Sequence, residues 1–346
     1  APAWLFQRMV KLSREIITLM VYEFGTRETL KKFSDPYWFQ ALGCVLGFDW
    51  HSSGVTTTVC GAVKEGLRGL QSELKLVVAG GKGAASRRTP DDIRQSAEII
   101  SLISDAEILV YNSKLSAKVD NTAVQDGYQL YHHTFLFNQE GDWTVVQQGM
   151  NDTNGWARRY HWYSPTLSSF INEPHAAVCA NHRGNILLNM VASEAESNRH
   201  AVAHLAKEKP EKIEAEAKNI VECNLSSRHP VTLGDLNPRY FHKILLKTYE
   251  RQPKNFQSLL EIEGVGPKTI RALALIAELL YGTPISTCDP ARYSFAHGGK
   301  DGYPYPVDRP NYDRSIEIMK RAVEQSRLGN QEITNAIKRL QHFYQF

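Results

Sequence analysis

Between residues 111 and 163 the chain concentrates side chains suited to hydrolytic chemistry: Lys114, Lys118, Asp120, Asp126, His132, His133, Gln147, Gln148, Arg158, Arg159 and His161. A carboxylate, an imidazole and a lysine around one hairpin can bind a hard divalent metal and activate water for phosphodiester cleavage. Asp126 and His132 are the candidate ligands for such a metal, Mg or Mn. Asp126, His132 and His161 are the candidate general bases, and Lys114 or Lys118 the candidate charge stabiliser. Surface charges with hydrogen-bonded strand histidines are the structural alternative. The order of these residues departs from the acid-acid-x-Lys pattern of restriction-type nucleases. Residues 157–163 interleave Arg158 and Arg159 with Tyr160, His161, Trp162 and Tyr163. That composition suits a groove in which bases stack on rings and arginine meets phosphate, and it equally suits an edge packed under aromatics. Asp49 and His51 share a face if their segment is extended, a second catalytic candidate, but no Gly-x-Ser-x-Gly elbow accompanies them. The Gly80–Gly83 stretch lacks the spacing of a P-loop.

The most informative string lies later, at Leu259-Leu260-Glu261-Ile262-Glu263-Gly264-Val265-Gly266-Pro267-Lys268-Thr269-Ile270-Arg271. Its spacing predicts a first helix ending at Gly264, where a residue without Cβ takes positive φ, and a second helix with Pro267 as its first residue. Such a turn aims backbone N–H groups and a helix N-terminus at one point, a site for an anion. A plain inter-helix turn with a solvated lysine is the alternative. The string resembles a helix-hairpin-helix element, a family of sequence-independent DNA phosphate binders. By that resemblance Gly264, Val265, Gly266, Lys268 and Thr269 hold the DNA backbone, contacts that position a protein without reading bases.

The following stretch, Leu280-Tyr281-Gly282-Thr283-Pro284 through Asp289, resembles the segment after the hairpin in helix-hairpin-helix DNA glycosylases. There an aspartate stabilises the sugar cation, and a lysine at the position of Lys268 forms a Schiff base, which implies roles for Asp289 and Lys268. Asp289 lies further from Lys268 than that family allows, and an N-cap before Pro290 is its structural alternative. The loop Phe295-Ala296-His297-Gly298-Gly299-Lys300-Asp301-Gly302 adds Lys300 as a candidate phosphate contact. That loop, together with Ser34-Asp35-Pro36-Tyr37-Trp38-Phe39-Gln40, Asp49-Trp50-His51-Ser52-Ser53-Gly54 and Gln125-Asp126-Gly127-Tyr128, resembles a prokaryotic family of unknown function common in archaea and thermophilic bacteria. The resemblance implies no activity.

The elements that must position these residues follow from pattern. Apolar residues from Leu5 to Met20 recur every three or four positions, predicting a helix over 1–34. Thr89-Pro90-Asp91-Asp92 predicts a helix cap, with the helix running to about Leu102. Leu130–Phe137 and Trp143–Gln148 predict two strands joined by a turn at 138–142. Short buried segments are expected near Val55–Val59, and a loop or crossing over 80–88. The fold class expected is α+β: a mixed α/β domain with a small β-sheet over 1–183, carrying the chemistry, and an all-α helix-hairpin-helix domain over 184–346.

The 346 residues carry 42% hydrophobic and 22% charged residues, enough for sizeable cores. Net charge is +3, yet from Arg239 onward 16 Lys and Arg face 11 Asp and Glu, so the positive excess sits in the last third. Five cysteines without a C-x-x-C pair exclude a disulfide framework or a cysteine-rich cluster, so a cytoplasmic setting is expected. The expected partner is DNA and the expected activity a metal-assisted DNA nuclease in repair. A base-excision glycosylase using Lys268 and Asp289 and a non-catalytic DNA-binding protein are the alternatives.

Overall fold

A computed structural model describes residues 1–47, 54–153, 155–180, 187–222 and 238–293, and beyond them 317, 321, 323–325 and 333–338. Asp49, His51 and Lys300 lie outside the described residues. The chain is a mixed α/β fold. Helices α1 (Ala3–Ser34), α2 (Pro36–Val45), α3 (Gly54–Gly66) and α4 (Gln71–Leu74) precede strand β1 (Leu76–Lys82). Next come α5 (Ala84–Arg87), α6 (Thr89–Ile100), α7 (Ala106–Lys118), β2 (Val124–Gln125), β3 (Gln129–Asn138), β4 (Trp143–Met150), β5 (Ala157–Tyr163), β6 (Ala177–Ala180) and β7 (Leu188–Asn189). The later helices are α8 (Glu196–Leu205), α9 (Pro210–Glu222), α10 (Pro238–Arg251), α11 (Phe256–Glu261) and α12 (Pro267–Tyr281).

Strands β1-β3-β4-β5-β6 form one antiparallel sheet, and β2 pairs with β7. The predicted hairpin is present, with Phe137 opposite Trp143 and Gly141 at φ +90° in the turn. The helix over 1–34 is present as α1, kinked at Gly25, whose φ of +80° interrupts the helical run. Asp35 ends α1 and caps α2 by accepting from Tyr37 N at 2.8 Å. Three local expectations are corrected. Residues 55–59 lie in helix α3, because Val55, Val59 and Val63 recur at helical spacing and pack on α1. The Gly80 segment is the end of edge strand β1, followed by a helical turn, and not a loop. Thr89 lies inside the first turn of α6 and donates to Ser86 O, so it is not the cap.

Helices cover both faces of the sheet, which creates two apolar cores. One face, with Leu76, Val78, Leu136 and Val146, packs against α1, α2 and α3. The other, with Phe135, Val145, Tyr160 and Trp162, packs against α7, α8, α11 and α12. This second core runs unbroken from the sheet into the helices after residue 184, through Val202, Leu259 and Leu273. Burying each such side chain contributes about 1.5–3 kcal/mol, so the sheet and these helices stabilise each other. Because both faces are covered, the polar residues of β3 from His132 onward and those of β4 and β5 are interior residues.

Candidate functional site

The turn joining α11 to α12 follows from its residues. Asn255 accepts from Ser258 N at 2.9 Å while Ser258 Oγ accepts from Asn255 N at 3.0 Å, a reciprocal cap that starts α11. The chain then reverses at Gly264, whose φ is +95°. A Cβ there would stand 2.4 Å from Ile244 Cδ1 on α10, so Gly264 serves both the backbone and the packing. Gly264→Ala is expected to cost about 1–3 kcal/mol, read as a lower urea midpoint. Pro267 is the first residue of α12 as predicted, and no side chain caps the helix.

Of the residues proposed for backbone contact, Lys268 is exposed, Gly264 and Gly266 are half-buried, and the side chains of Val265 and Thr269 are inside. Lys118 on α7 donates to the Val265 carbonyl, so this candidate charge stabiliser tethers the turn, and burial lowers its pKa. Gln125 donates to Pro267 O at 2.8 Å and accepts from Arg271 Nε at 2.8 Å, clamping β2 to the start of α12. A groove of about 520 Å³ opens here, lined by Asn121, Gln129, Asn151, Asp152, Pro267 and Arg271 among others. Asp126 borders it.

Asp126 and Asp289 meet on one guanidinium. Arg158 Nη1 donates to Asp126 Oδ2 at 2.8 Å and Nη2 to Asp289 Oδ2 at 2.7 Å, all three side chains being 5% exposed or less. Tyr160 donates to the same Asp126 oxygen at 2.7 Å, and Tyr128 N to the other at 3.1 Å. Burial pushes the Asp126 carboxyl above its ordinary range, opposed by Arg158 and these donors. Asp289 also accepts from Ala291 N at 2.8 Å, a local turn bond, and residues 290–293 after it are not helical. The candidate metal ligand of one reading and the catalytic aspartate of another are thus parts of one buried charge network.

Arg158 and Arg159 themselves are corrected as DNA contacts: both are fully buried, on opposite faces of β5. Arg159 Nε donates to His161 Nε2 at 2.8 Å, and its Nη1 to Gln40 Oε1 at 3.3 Å and Thr56 Oγ1 at 3.4 Å. Since arginine only donates, His161 Nε2 is an acceptor, and its Nδ1–H donates to Phe33 O at 3.0 Å. Burial and Arg159 hold His161 well below its ordinary pKa. A neutral imidazole with both nitrogens engaged is a packing group, which corrects His161 as a base or ligand.

His132 and His133 face opposite ways, as alternation requires. Asp126 meets the Arg158–Tyr160 face, whereas His132 shares the other with Thr134, whose Oγ1 lies 2.9 Å from its Nε2. The Asp126–His132 pairing is therefore corrected, the sheet lying between them. Among the described residues no group of three or more His, Cys, Asp or Glu is placed to hold a metal.

His133 heads a relay that sequence order did not disclose. Buried Asp120 accepts from Gln147 Nε2 at 2.6 Å and Trp162 Nε1 at 2.9 Å, and His175 Nε2 lies 2.6 Å from its other oxygen. Gln147 therefore turns its Oε1 to His133 Nδ1, at 2.8 Å. His133 Nδ1 must donate, which leaves Nε2 to accept from Ser113 Oγ at 2.8 Å. Lys114, next to Ser113 on α7, is exposed. Ser113, Thr56 and His175 are network members that sequence reading missed; only their burial and long-range partners mark them.

Burial lowers the His132 pKa from 6.5 to about 3. A histidine depressed in the fold contributes stability above its unfolded pKa and loses it as pH falls toward the folded value. His132→Asn is thus expected to flatten stability against pH by about 1.4 kcal/mol per unit between roughly pH 6 and 4, measured by urea unfolding.

Among the described residues no helix is long and apolar enough to cross a membrane. Comparisons with curated proteins and with solved structures return no match. The family comparison does: over residues 1–307 the chain matches the model described as Protein of unknown function (DUF763), and it belongs to that family.

Proposed function

We propose that the protein binds DNA through the phosphate backbone, without reading sequence, at the α11–α12 turn. The observation that carries this reading is the start of α12. A 15-residue helix begins at Pro267 without a side-chain cap, three residues after the positive-φ Gly264, with Lys268 exposed on its first turn. First-turn N–H groups and the helix dipole together favour an anion. Exposed Arg239, Lys243 and Arg251 on neighbouring α10 extend the positive field along a phosphate track. This arrangement resembles the helix-hairpin-helix element that the sequence suggests.

Binding, and not cleavage, is the stronger form of the proposal. Asp126 and Asp289 are both bound by Arg158 inside the fold instead of facing the groove as a pair, and Lys268 is far more exposed than a desolvated Schiff-base lysine requires. End-labelled single-stranded, duplex and branched DNA should stay intact with Mg or Mn and with EDTA, yet be retained by the protein. Metal-dependent cleavage lost in Asp126→Ala would restore the nuclease reading, and borohydride trapping lost in Lys268→Ala the glycosylase reading. Glu263 projects at the turn with its side chain 97% exposed, 3.8 Å from Lys247. Glu263→Gln should therefore tighten binding, by roughly 0.5–1 kcal/mol at low salt, in a fluorescence titration.

A further inference from the structure

The groove of about 520 Å³ beside the α11–α12 turn is walled by β2, the start of β3, the end of β4 and the start of α12. One aromatic ring lines it, that of half-buried Tyr128, with Val124 and Met150 as its apolar neighbours in the lining. The ring is held in place. Arg158 Cζ lies 4.6 Å from its centroid, and β4 approaches so closely that a Cβ at Gly149 would stand 2.9 Å from Tyr128 Cβ. A ring already fixed by its neighbours loses little conformational freedom when a second ring stacks on it.

The polar groups around Tyr128 are of two kinds. At the α12 end is half-buried Arg271, the only cation in the lining. Gln125, itself donating to Pro267 O, accepts from Arg271 Nε at 2.8 Å, and the other guanidinium nitrogens have no partner among the described residues. Elsewhere the lining offers exposed amides at Asn121 and Gln129, which form no side-chain hydrogen bond among the described residues, and the exposed carboxylate of Asp152. Amides and a carboxylate present both donors and acceptors to a planar neutral group. One cation against the acids Asp126 and Asp152 suits a single phosphate at the Arg271 end and disfavours a second one inside.

We propose that this groove receives the base of one unpaired DNA nucleotide, stacked on Tyr128 and hydrogen-bonded at its edge by Asn121, Gln129 and Asp152, while Arg271 and the start of α12 hold its phosphate. The inference rests on the phosphate-backbone reading of the turn and narrows it to DNA that carries an unpaired base. The volume lies in the range of small-ligand pockets, about 300–1,000 Å³, enough for one nucleotide and too small for a stacked duplex. Stacking tolerates any base, because every base has a π-face, so the preference is for the unpaired state and not for a sequence.

The test is anisotropy of the full chain with two labelled duplexes, one fully paired and one carrying a single unpaired thymine. The unpaired thymine should tighten binding about tenfold. Tyr128→Leu, which keeps apolar bulk and removes the ring, should abolish that ratio while still binding the paired duplex, with the thermal midpoint reporting its fold. Lys268→Ala should weaken both duplexes alike and preserve the ratio. A second readout needs no variant: 5-iodouracil in place of the unpaired thymine should photocrosslink to Tyr128, and 5-iodouracil at a paired position should not. Equal affinity for the two duplexes, a ratio that survives in Tyr128→Leu, or a crosslink that never reaches Tyr128 would overturn this inference and leave phosphate binding at the turn standing. Wild-type protein that binds neither duplex would overturn both.

Discussion

Arg158→Met is expected to destabilise the protein by about 3–5 kcal/mol, because it strands two carboxylates inside the fold. Asp126 and Asp289 would keep their burial while losing the donors at 2.8 and 2.7 Å that compensate it. Removing one partner of a buried ion pair costs more than the pair is worth, since the survivor bears its desolvation alone. The deficit should also depend on pH in a defined direction. Burial already raises the Asp126 carboxyl, and loss of Arg158 raises it further. A carboxyl raised in the fold binds more protons folded than unfolded, so the gap between variant and wild type should narrow as pH falls. Arg158→Met/Asp126→Asn/Asp289→Asn, which removes all three charges, should recover much of the loss. Urea unfolding at pH 7.5 and pH 5.5 checks each statement. An Arg158→Met cost under about 1 kcal/mol, the value of an exposed pair, would contradict the burial argument.

Gly80→Ala is the second large effect, on the order of 2–6 kcal/mol, the sum of a backbone and a packing cost. Gly80 has φ +84°, and a Cβ there would lie 2.3 Å from the His133 carbonyl oxygen and 2.6 Å from Thr89 Oγ1. Left-handed backbone costs a non-glycine residue roughly 1–3 kcal/mol, and overpacking adds a similar amount. The oxygen belongs to the neighbouring strand and cannot swing aside as a side chain would, so β1 must part from β3. Gly80 also accepts from Lys64 at 2.8 Å and donates to Asp92 at 3.0 Å, bonds that anchor α3 and α6 to the sheet edge. Gly69 is the control: its φ is +81°, and a Cβ added there would meet nothing within 4 Å, so Gly69→Ala carries the backbone cost alone. Equal melting shifts for the two variants would contradict this assignment.

The parts of this fold legible in sequence are those governed by local rules. The β3–β4 hairpin is written in its alternation and in the Gly141 turn, and the start of α12 in Gly-Pro. Asp35 before Pro36 marks the α1–α2 boundary through a cap that needs only two residues. What local rules miss depends on distant chain. Residues 157–163 look like a wet, basic-aromatic surface because arginine is usually exposed; helices on both faces make them interior, and the charge of Arg158 is answered 32 and 131 residues away. Pairing of Gly80 and Gly81 with β3 is likewise invisible locally, since glycine has low strand propensity and only the close approach of His133 explains its use. The candidate site shares this division: the α11–α12 turn could be read directly, whereas the fates of Asp126, Arg158 and Asp289 could not.

DNA binding at that turn is tested most directly by anisotropy of a labelled duplex titrated at several salt concentrations, with wild type and Lys268→Ala compared on two unrelated sequences. Wild-type affinity should fall steeply with salt and be equal for both sequences, and the log–log slope should be shallower by about 1 in Lys268→Ala. Wild-type protein that leaves the duplex unbound at low salt, or binding whose strength and salt slope are untouched by Lys268→Ala, would contradict the proposal.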